Sequence, residues 1–504
     1  MGTEIYMKFA KSKLGILLIF IASVLATQSR AQFLVTTNNG AITIASYAGP
    51  GGNVTIPSTI NGLPVTRIGN SAFWQCFSLL NVSIPDTVTN IESNAFDHCI
   101  ALTNVSLSQN LKTIKGNAFS YCSSLRGLAI PDSVTYIGPS AFDSCENLTS
   151  VNISKNVTNI LQNAFVSCLK LTSITVDALN PNYASVDGVL FDKGVGNLMQ
   201  CPGGKVGNYS IPPSVCSILP LAFWNCQWLT SITIPGSVTN IDEQAFGGCT
   251  RLTAITIPSS VTGIGFDAFG GCDAMTGITV DPLNPSYCSV NGVLFDKGTN
   301  ILFQCPAGWV GTYNIPNGAV AIAGYAFARC FGLTGVVIPS SMQSISNGAF
   351  YVCTHLTNVT VPGSVQSIDA AAFGFCTALQ GVYFTGNAPA ADASAFTSAT
   401  PTVYYLPGTS GWGPIFAGRP TALWPLANPL ILNYNTFSGA QSNEFGFIVS
   451  WATNVPVVVV EVCTNMAEPV WQPLQTNALT DGVSYFSDAQ WTNSPFRFYR
   501  VRLP

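Results

Sequence analysis

The sequence predicts an α/β repeat solenoid, built of short strands joined by single helical turns, followed by a small all-β domain. Three observations predict it. The first is a unit typified by Ala245-Phe246-Gly247-Gly248-Cys249, of pattern A-F-x-x-C-x-x-L-x-x-V/I-x-I/V-P-x-S-V-T-x-I, whose Ala-Phe pair recurs every 23 residues at Phe73, Phe96, Phe119, Phe142 and Phe165. The second is that the series resumes at Phe223, Phe246 and Phe269, and again at Phe327, Phe350, Phe373 and Phe396, after two gaps of 58 residues that each equal one period plus 35. The third is the end of the pattern: from about Pro425 no such period survives, and β-rich runs take over. A fixed period between 20 and 50 residues marks one supersecondary unit stacked on itself, each copy burying a face that it could not bury alone.

In chain order, residues 1–31 read as a secretory signal peptide. Lys8, Lys11 and Lys13 precede the apolar run Leu14–Ala26, and the small residues Ser29 and Ala31 stand before a cleavage point ahead of Gln32. The run is short for a membrane span, so the expected mature chain has no transmembrane segment and is secreted or held at the cell surface. Residues 32–67 alternate apolar and polar side chains, as in Ala41-Ile42-Thr43-Ile44, and predict an N-terminal β cap that shields the first coil.

Residues 68–424 are expected to form a solenoid of about a dozen coils with a C-terminal cap. Counted from each Phe, a Leu at +6 leads into apolar residues at +9 and +11, for example Leu252, Ile255 and Ile257. Alternation with β-branching predicts a short strand, and the following Pro ends its pairing. A second apolar pair, such as Val238 and Ile241, leads to the next A-F-x-x-C, which reads as one helical turn. Insertions near 177–212 and 281–316 copy one another at an offset of 104, Val189-Leu190-Phe191-Asp192-Lys193-Gly194 against Val293-Leu294-Phe295-Asp296-Lys297-Gly298. Each reads as a β-hairpin standing off the solenoid, turned by the Gly after Lys. Trp412, Phe416 and Trp424 crowd the expected C-terminal cap. Residues 425–504, with runs such as Val457–Val462, read as a small all-β domain.

Composition narrows the function. Charged residues make up 8% of the chain, against about 25% in ordinary globular proteins, so the surface is neutral and rich in hydroxyls and amides. With 19 Lys+Arg against 23 Asp+Glu there is no basic patch to neutralise phosphates, which argues against nucleic acid and anionic membrane surfaces.

The residues capable of chemistry do not converge. Eleven of the 16 cysteines sit at +3 from a Phe, from Cys76 to Cys376. Side chains pointing in parallel into a core rarely meet the disulfide torsion, so they read as a ladder of buried, inert thiols. His98 and His355 fall at different phases of the repeat, and neither completes a Ser-His-Asp set. Asp177-Ala178-Leu179-Asn180-Pro181 and its copy Asp281-Pro282-Leu283-Asn284-Pro285 offer too few oxygens for calcium and read as turn caps. No catalytic residue, metal or cofactor is assigned.

The most regular candidate is a double column of hydroxyls. The position after the Leu carries Thr149, Thr172, Thr230, Thr253, Thr276 and Thr357, and the position three further on carries Thr175, Thr233, Thr256, Thr279 and Thr360. Strand alternation points the second column away from the core, giving a flat threonine strip on the exposed sheet face. Threonine also simply suits an exposed strand. Trp74, Trp224 and Trp228 are candidate aromatic platforms beside it, with buried packing the competing reading.

The repeat unit resembles the leucine-rich repeats of BspA-type bacterial surface proteins, over roughly Phe33 to Trp424. The resemblance implies an exported protein and, from several members of that family, adhesion. Residues and resemblance together give a non-catalytic surface protein whose partner is an extracellular protein or glycan surface. A carbohydrate-binding or display scaffold is the alternative reading, and a secreted hydrolase comes third.

Overall fold

The structure, a computed structural model, describes residues 32–298, 300–424, 430–432, 445–451, 457–466, 469–480, 482–488, 490 and 496–504; the signal peptide expected at 1–31 lies outside the described residues. The chain divides into two compact units after Tyr287.

In the first unit the strands Phe33–Asn38 and Ala41–Tyr47 form an antiparallel hairpin. Asn39 and Gly40 turn it with φ of 50° and 77°, the pair of positive values that suits the right-handed twist of the flanking strands. Ala41–Tyr47 then pairs in parallel with Leu63–Ile68 of the first coil, and the Tyr47 ring lies on Phe73 at 4.8 Å between centroids.

Every coil presents three sides. The segment after the Leu is a strand in most coils and pairs with its copy one period on in short ladders, as Ala254–Ile257 does with Gly277–Val280, Ile255 opposite Ile278. Its burial alternates, Ile255 and Ile257 inside and Ala254 and Thr256 outside, as a two-residue side-chain period requires. The second side is a two-residue strand, Asn240–Ile241 pairing with Gly263–Ile264. Both ladders are parallel because each coil runs the same way round.

The third side corrects the expected helical turn. Among the described residues there is no helix, and the A-F-x-x-C segment is a chain of tight turns. Residues two before and two after the Phe have positive φ, for example Gln244 at 52° and Gly248 at 70° around Phe246. A right-handed helix cannot contain such residues. The segment closes Cys249 N–H onto the Phe246 carbonyl at 3.3 Å, and sends the Phe246 N–H to the Ala268 carbonyl of the next coil at 2.8 Å. That contact recurs from coil to coil, so the turns form a third ladder. Inside it the rings stack: Phe96 on Phe119 at 5.1 Å and 3°, Phe119 on Phe142 and Phe142 on Phe165 at 5.5 Å and 2°. Ala95, Ala118 and Ala141 are fully buried beside them.

The insertions also depart from expectation. They do not stand off the solenoid. Tyr183–Val186 and Val189–Asp192 make a hairpin turned by Asp187 and Gly188, at φ 50° and 75°, and not by the Gly194 that the sequence reading chose. Asn197–Gln200 then pairs antiparallel with Val189–Asp192 and parallel with Ser217–Ile218 of the following coil. Val189, Leu190 and Phe191 are buried, so the hairpin is built into the stack. Each insertion supplies a coil that lacks the Ala-Phe signature and that the count of a dozen left out; the solenoid has about 16 turns.

Asn180 anchors the insertion. It is fully buried, its amide donates to the carbonyls of Ser154 and Val157, and its oxygen accepts from the N–H groups of Asn182 and Tyr183. The Tyr183 hydroxyl in turn accepts from Ile160 N–H at 2.7 Å.

In the second unit the same strands repeat, and Thr402–Tyr405 and Arg419–Leu423 extend the long ladder beyond Gly381–Phe384. Trp412 stacks on Tyr405 and packs against Phe384 and Phe416. Beyond Trp424 the described strands form two three-stranded sheets, one of Leu430–Leu432, Phe445–Ser450 and Val483–Asp488, the other of Gln472–Ala478, Val457–Cys463 and Phe498–Arg502. Phe447, Val449, Trp451, Val458, Val460 and Phe486 form a buried cluster between them.

Candidate binding face

The face comes from the long strands. Leu, Val and Ile at +6, +9 and +11 take the core side, and the residues at +7 and +10 are left outside. All eleven threonines of the predicted strip are exposed: Thr149, Thr172, Thr175, Thr230, Thr233, Thr253, Thr256, Thr276, Thr279, Thr357 and Thr360. In the first unit Thr256 stands opposite Thr279 in register, and Thr276 N–H donates to the Thr253 carbonyl at 3.0 Å. Thr230 and Thr233 stand at the same phases one coil earlier, on Leu229–Thr233, which pairs with Gly207–Ser210. Thr149 and Thr172 are likewise joined, by Thr172 N–H to Thr149 carbonyl at 3.0 Å.

In the second unit Thr357 follows the exposed Thr334 by one period, whereas Thr360 joins no such column. The in-register neighbours of Thr360 are Val337 and Tyr383.

The hydroxyl protons are directed along the stack. Thr149 Oγ1 donates to the Arg126 carbonyl at 3.3 Å, Thr172 Oγ1 to the Thr149 carbonyl at 3.2 Å, and Thr175 Oγ1 to Asn152 Oδ1 at 3.0 Å. Thr230 Oγ1 donates to Asn208 Oδ1 at 3.0 Å. A hydroxyl whose proton is engaged still offers acceptor lone pairs, so this part of the face presents acceptors with fixed orientation.

Sequence reasoning missed part of the strip. Ser83, Ser106 and Asn152 occupy the same +10 phase and are exposed; the signal was present, but attention to threonine alone passed over it. Ser210 pairs opposite Thr233. It lies in an insertion coil with no Phe to count from, so only the register reveals it. Arg126 interrupts the +7 column.

Of the tryptophans, Trp74 and Trp228 are exposed. Arg251 lies over the Trp228 ring at 4.2 Å from its centroid. Trp224 is half-buried and covers Gly247, where a Cβ would come within 2.3 Å of the ring; glycine there lets the indole lie flat, a packing role.

The residues capable of chemistry sit apart from this face. His98 contacts Asp97 at 2.8 Å and stacks on Tyr121 at 4.4 Å, whereas His355 lies in the other unit. Asp177 and Asp281 each accept from an N–H two residues on, at Leu179 and Leu283, as turn caps do. Burial pushes the Asp143 carboxyl above the usual range, with Ser144 hydrogen bonds opposing it. Among the described residues no group of three or more His, Cys, Asp or Glu is placed to hold a metal ion. All 16 cysteines are free. Within the repeats the thiols are donors: Cys99, Cys122, Cys145 and Cys168 each reach the Phe carbonyl of the preceding coil at 3.1–3.2 Å. Burial raises the Cys122 and Cys145 thiols above their ordinary value.

Stacked parallel coils with a buried Leu at the head of each long strand and a broad exposed sheet define a leucine-rich-repeat scaffold. The chain belongs to the BspA-type leucine-rich-repeat family: the BspA type leucine rich repeat region matches it in six copies over residues 66–187, 203–295 and 309–408. The unmatched stretches between them fall in the two insertions. Among solved structures, a leucine-rich repeat protein from Eubacterium ventriosum is 24% identical over 67% of this chain and 91% of its own, with a TM-score of 0.50. A leucine rich cell surface protein from Faecalibacterium prausnitzii is 26% identical over 75% of this chain and 94% of its own, with a TM-score of 0.40. A leucine-rich repeat protein from Bacteroides ovatus is 23% identical over 74% and 93%, with a TM-score of 0.41. No curated protein matches the chain.

Proposed function

We propose that the protein is a non-catalytic binding protein, displayed at or released from the cell surface, that grips an extended extracellular protein through the uncharged hydroxyl strip of its long-strand ladder. The observation that carries the reading is that Thr230, Thr233, Thr253, Thr256, Thr276 and Thr279, at equivalent phases of three successive coils, are all exposed. A repeated, flat, neutral surface makes many weak contacts whose sum gives affinity, and its few charges leave little desolvation to overcome. Membership of a family of bacterial leucine-rich-repeat proteins supports the surface setting. Among the described residues no helix is long and apolar enough to cross a membrane.

A glycan partner is the second reading. Trp228 favours it, because an exposed indole held by Arg251 offers a platform for the apolar face of a sugar ring.

The test is to probe the purified protein against a glycan array and against a biotinylated surface-protein fraction. The proposal expects saturable capture of a protein. Saturable glycan binding with no protein partner would replace the first reading with the second. Hydrolysis of a captured ligand, abolished by one carboxylate substitution, would overturn both.

A further inference from the structure

The turn side of the first unit changes character along the stack. In the coils of Phe73, Phe96, Phe119 and Phe142, the positions one, two and four residues after the Phe hold three carboxylates, Asp97, Asp143 and Glu146, and no Lys or Arg. The same positions expose large apolar and aromatic side chains: Trp74, Phe77, Ile100 and Tyr121 are 44% to 53% exposed. In the coils of Phe246 and Phe269, by contrast, the first two of these positions are glycine. Lys115, four residues before Phe119, is turned away to the Tyr136 ring at 5.5 Å.

Backbone hydrogen bonds hold these coils in fixed step. Gln75 N–H donates to the Asp97 carbonyl at 2.9 Å, His98 N–H to the Ser120 carbonyl at 2.9 Å and Tyr121 N–H to the Asp143 carbonyl at 2.8 Å. The Tyr121 ring stacks on His98 at 4.4 Å and 21°. On its other side the next coil places Ser144 at the same phase, too small to cover a ring, so one face of Tyr121 is left open beside Asp143. Ser144 Oγ donates to Asp143 Oδ1 at 3.0 Å. Asp97 meets His98 Nδ1 at 2.8 Å, whereas among the described residues no Lys, Arg or His pairs with Asp143. The half-buried Asp143 carboxylate has lost hydration without gaining a counter-ion, and that burial pushes its carboxyl up.

We propose that this part of the turn side docks a protein segment that lays an arginine on the open face of Tyr121, paired with Asp143, and sets an apolar side chain against Ile100 and Phe77. Charge complementarity selects the cation, since the surface offers carboxylates and aromatic faces with no positive group of its own. A guanidinium suits it better than an ammonium: it is planar, lies flat on a ring and is less strongly hydrated. Its paired N–H groups also give Asp143 the counter-ion that it lacks. The occupant is a protein segment and not free arginine because the exposed apolar side chains continue past a single residue. Ile100 and Phe77 stand two and three coils from Asp143, about 10 and 14 Å at the strand spacing, which roughly three to four extended residues span. The surface is on a different side of the coil from the hydroxyl strip and does not depend on that strip making a contact.

The experiment titrates the full chain, by calorimetry, with a capped Leu-Gly-Ser-Gly-Arg peptide, with the same peptide carrying citrulline in place of arginine, and with N-acetylarginine amide. The proposal expects saturable binding of the arginine peptide, with the citrulline peptide and the single amino acid each at least tenfold weaker. Tyr121 stands at φ 55°, so Tyr121→Asn removes the ring and keeps a residue that tolerates positive φ; Asp143→Asn removes the charge at equal size. Each is expected to weaken the arginine peptide by about threefold or more. Asp132→Asn, which removes an exposed carboxylate from another side of the coil of Phe119, is expected to leave it unchanged. No binding of the arginine peptide, equal binding of the citrulline peptide or of the single amino acid, undiminished binding by either folded variant, or an equal loss in Asp132→Asn would each overturn the proposal.

Discussion

The Cys249 thiol donates to the main-chain carbonyl of Phe223, one coil earlier, at 3.2 Å. The same carbonyl accepts the N–H of Cys226 at 3.0 Å, so the cysteine supplies the second partner of a buried oxygen while its sulfur fills the space between turns. The A-F-x-x-C signature is thus one device: the ring packs, the carbonyl accepts, and the next coil's thiol donates. Cys249→Ala removes the donor and leaves a small void. The expected loss is about 1–2 kcal/mol, read as a lower urea midpoint with an unchanged slope.

Val352 stands at φ 61° in the turn after Phe350, a position filled by Gly248 and Gly271 in two other coils. A β-branched residue in the left-handed region carries about 1 kcal/mol of strain. Val352→Asn is expected to raise stability by roughly that amount, measured as an increase in Tm. A decrease would mean that the valine side chain contributes packing that outweighs the strain.

Asn180 holds the first insertion with four hydrogen bonds from a fully buried amide. Asn180→Ala leaves two carbonyls and two N–H groups without that partner. The expected cost is about 2–4 kcal/mol, with limited proteolysis beginning within 177–212. Asn284→Ala, whose amide bonds Pro258 and Val261 in the same way, is expected to behave alike at 281–316.

Glu461 lies between Arg502 and Arg500, its carboxylate oxygens accepting at 2.8 and 2.6 Å, and these bonds hold its carboxyl below the usual range. A carboxylate with a depressed folded-state pKa binds its proton more readily when unfolded, so its stabilisation is complete above the unfolded value and disappears as pH falls through the folded one. Unfolding of the terminal β region is therefore expected to become easier as pH drops below about 4. Glu461→Gln flattens that acid limb, which tryptophan fluorescence against pH would follow through Trp451.

The coil was legible in the sequence because its signals repeat. Leu252, Ile255 and Ile257 state a strand, the following Pro ends it, and the 23-residue step fixes the register without further evidence. The A-F-x-x-C segment was not legible, because Ala, Phe and Cys are compatible with a helix and most residues that take positive φ there are not glycine; Gln244 and Val352 give no hint of it. The insertions misled for a different reason. Asp187-Gly188 is the stronger hairpin signal, but the duplicated Asp-Lys-Gly run drew the turn to the wrong glycine, and nothing local shows that Leu190 and Phe191 face a core made by other coils. Of the binding strip, exposure followed from alternation, whereas the continuation through Ser210 depends on pairing that no period encodes.

The central claim is that the hydroxyl columns of the long-strand face make the contact. It is tested most directly by placing charge at the equivalent position of three successive coils: Thr233→Lys, Thr256→Lys and Thr279→Lys together, with binding of the captured surface protein measured by calorimetry. The account predicts at least a tenfold loss of affinity with an unaltered Tm. Undiminished binding by the folded triple variant would contradict it.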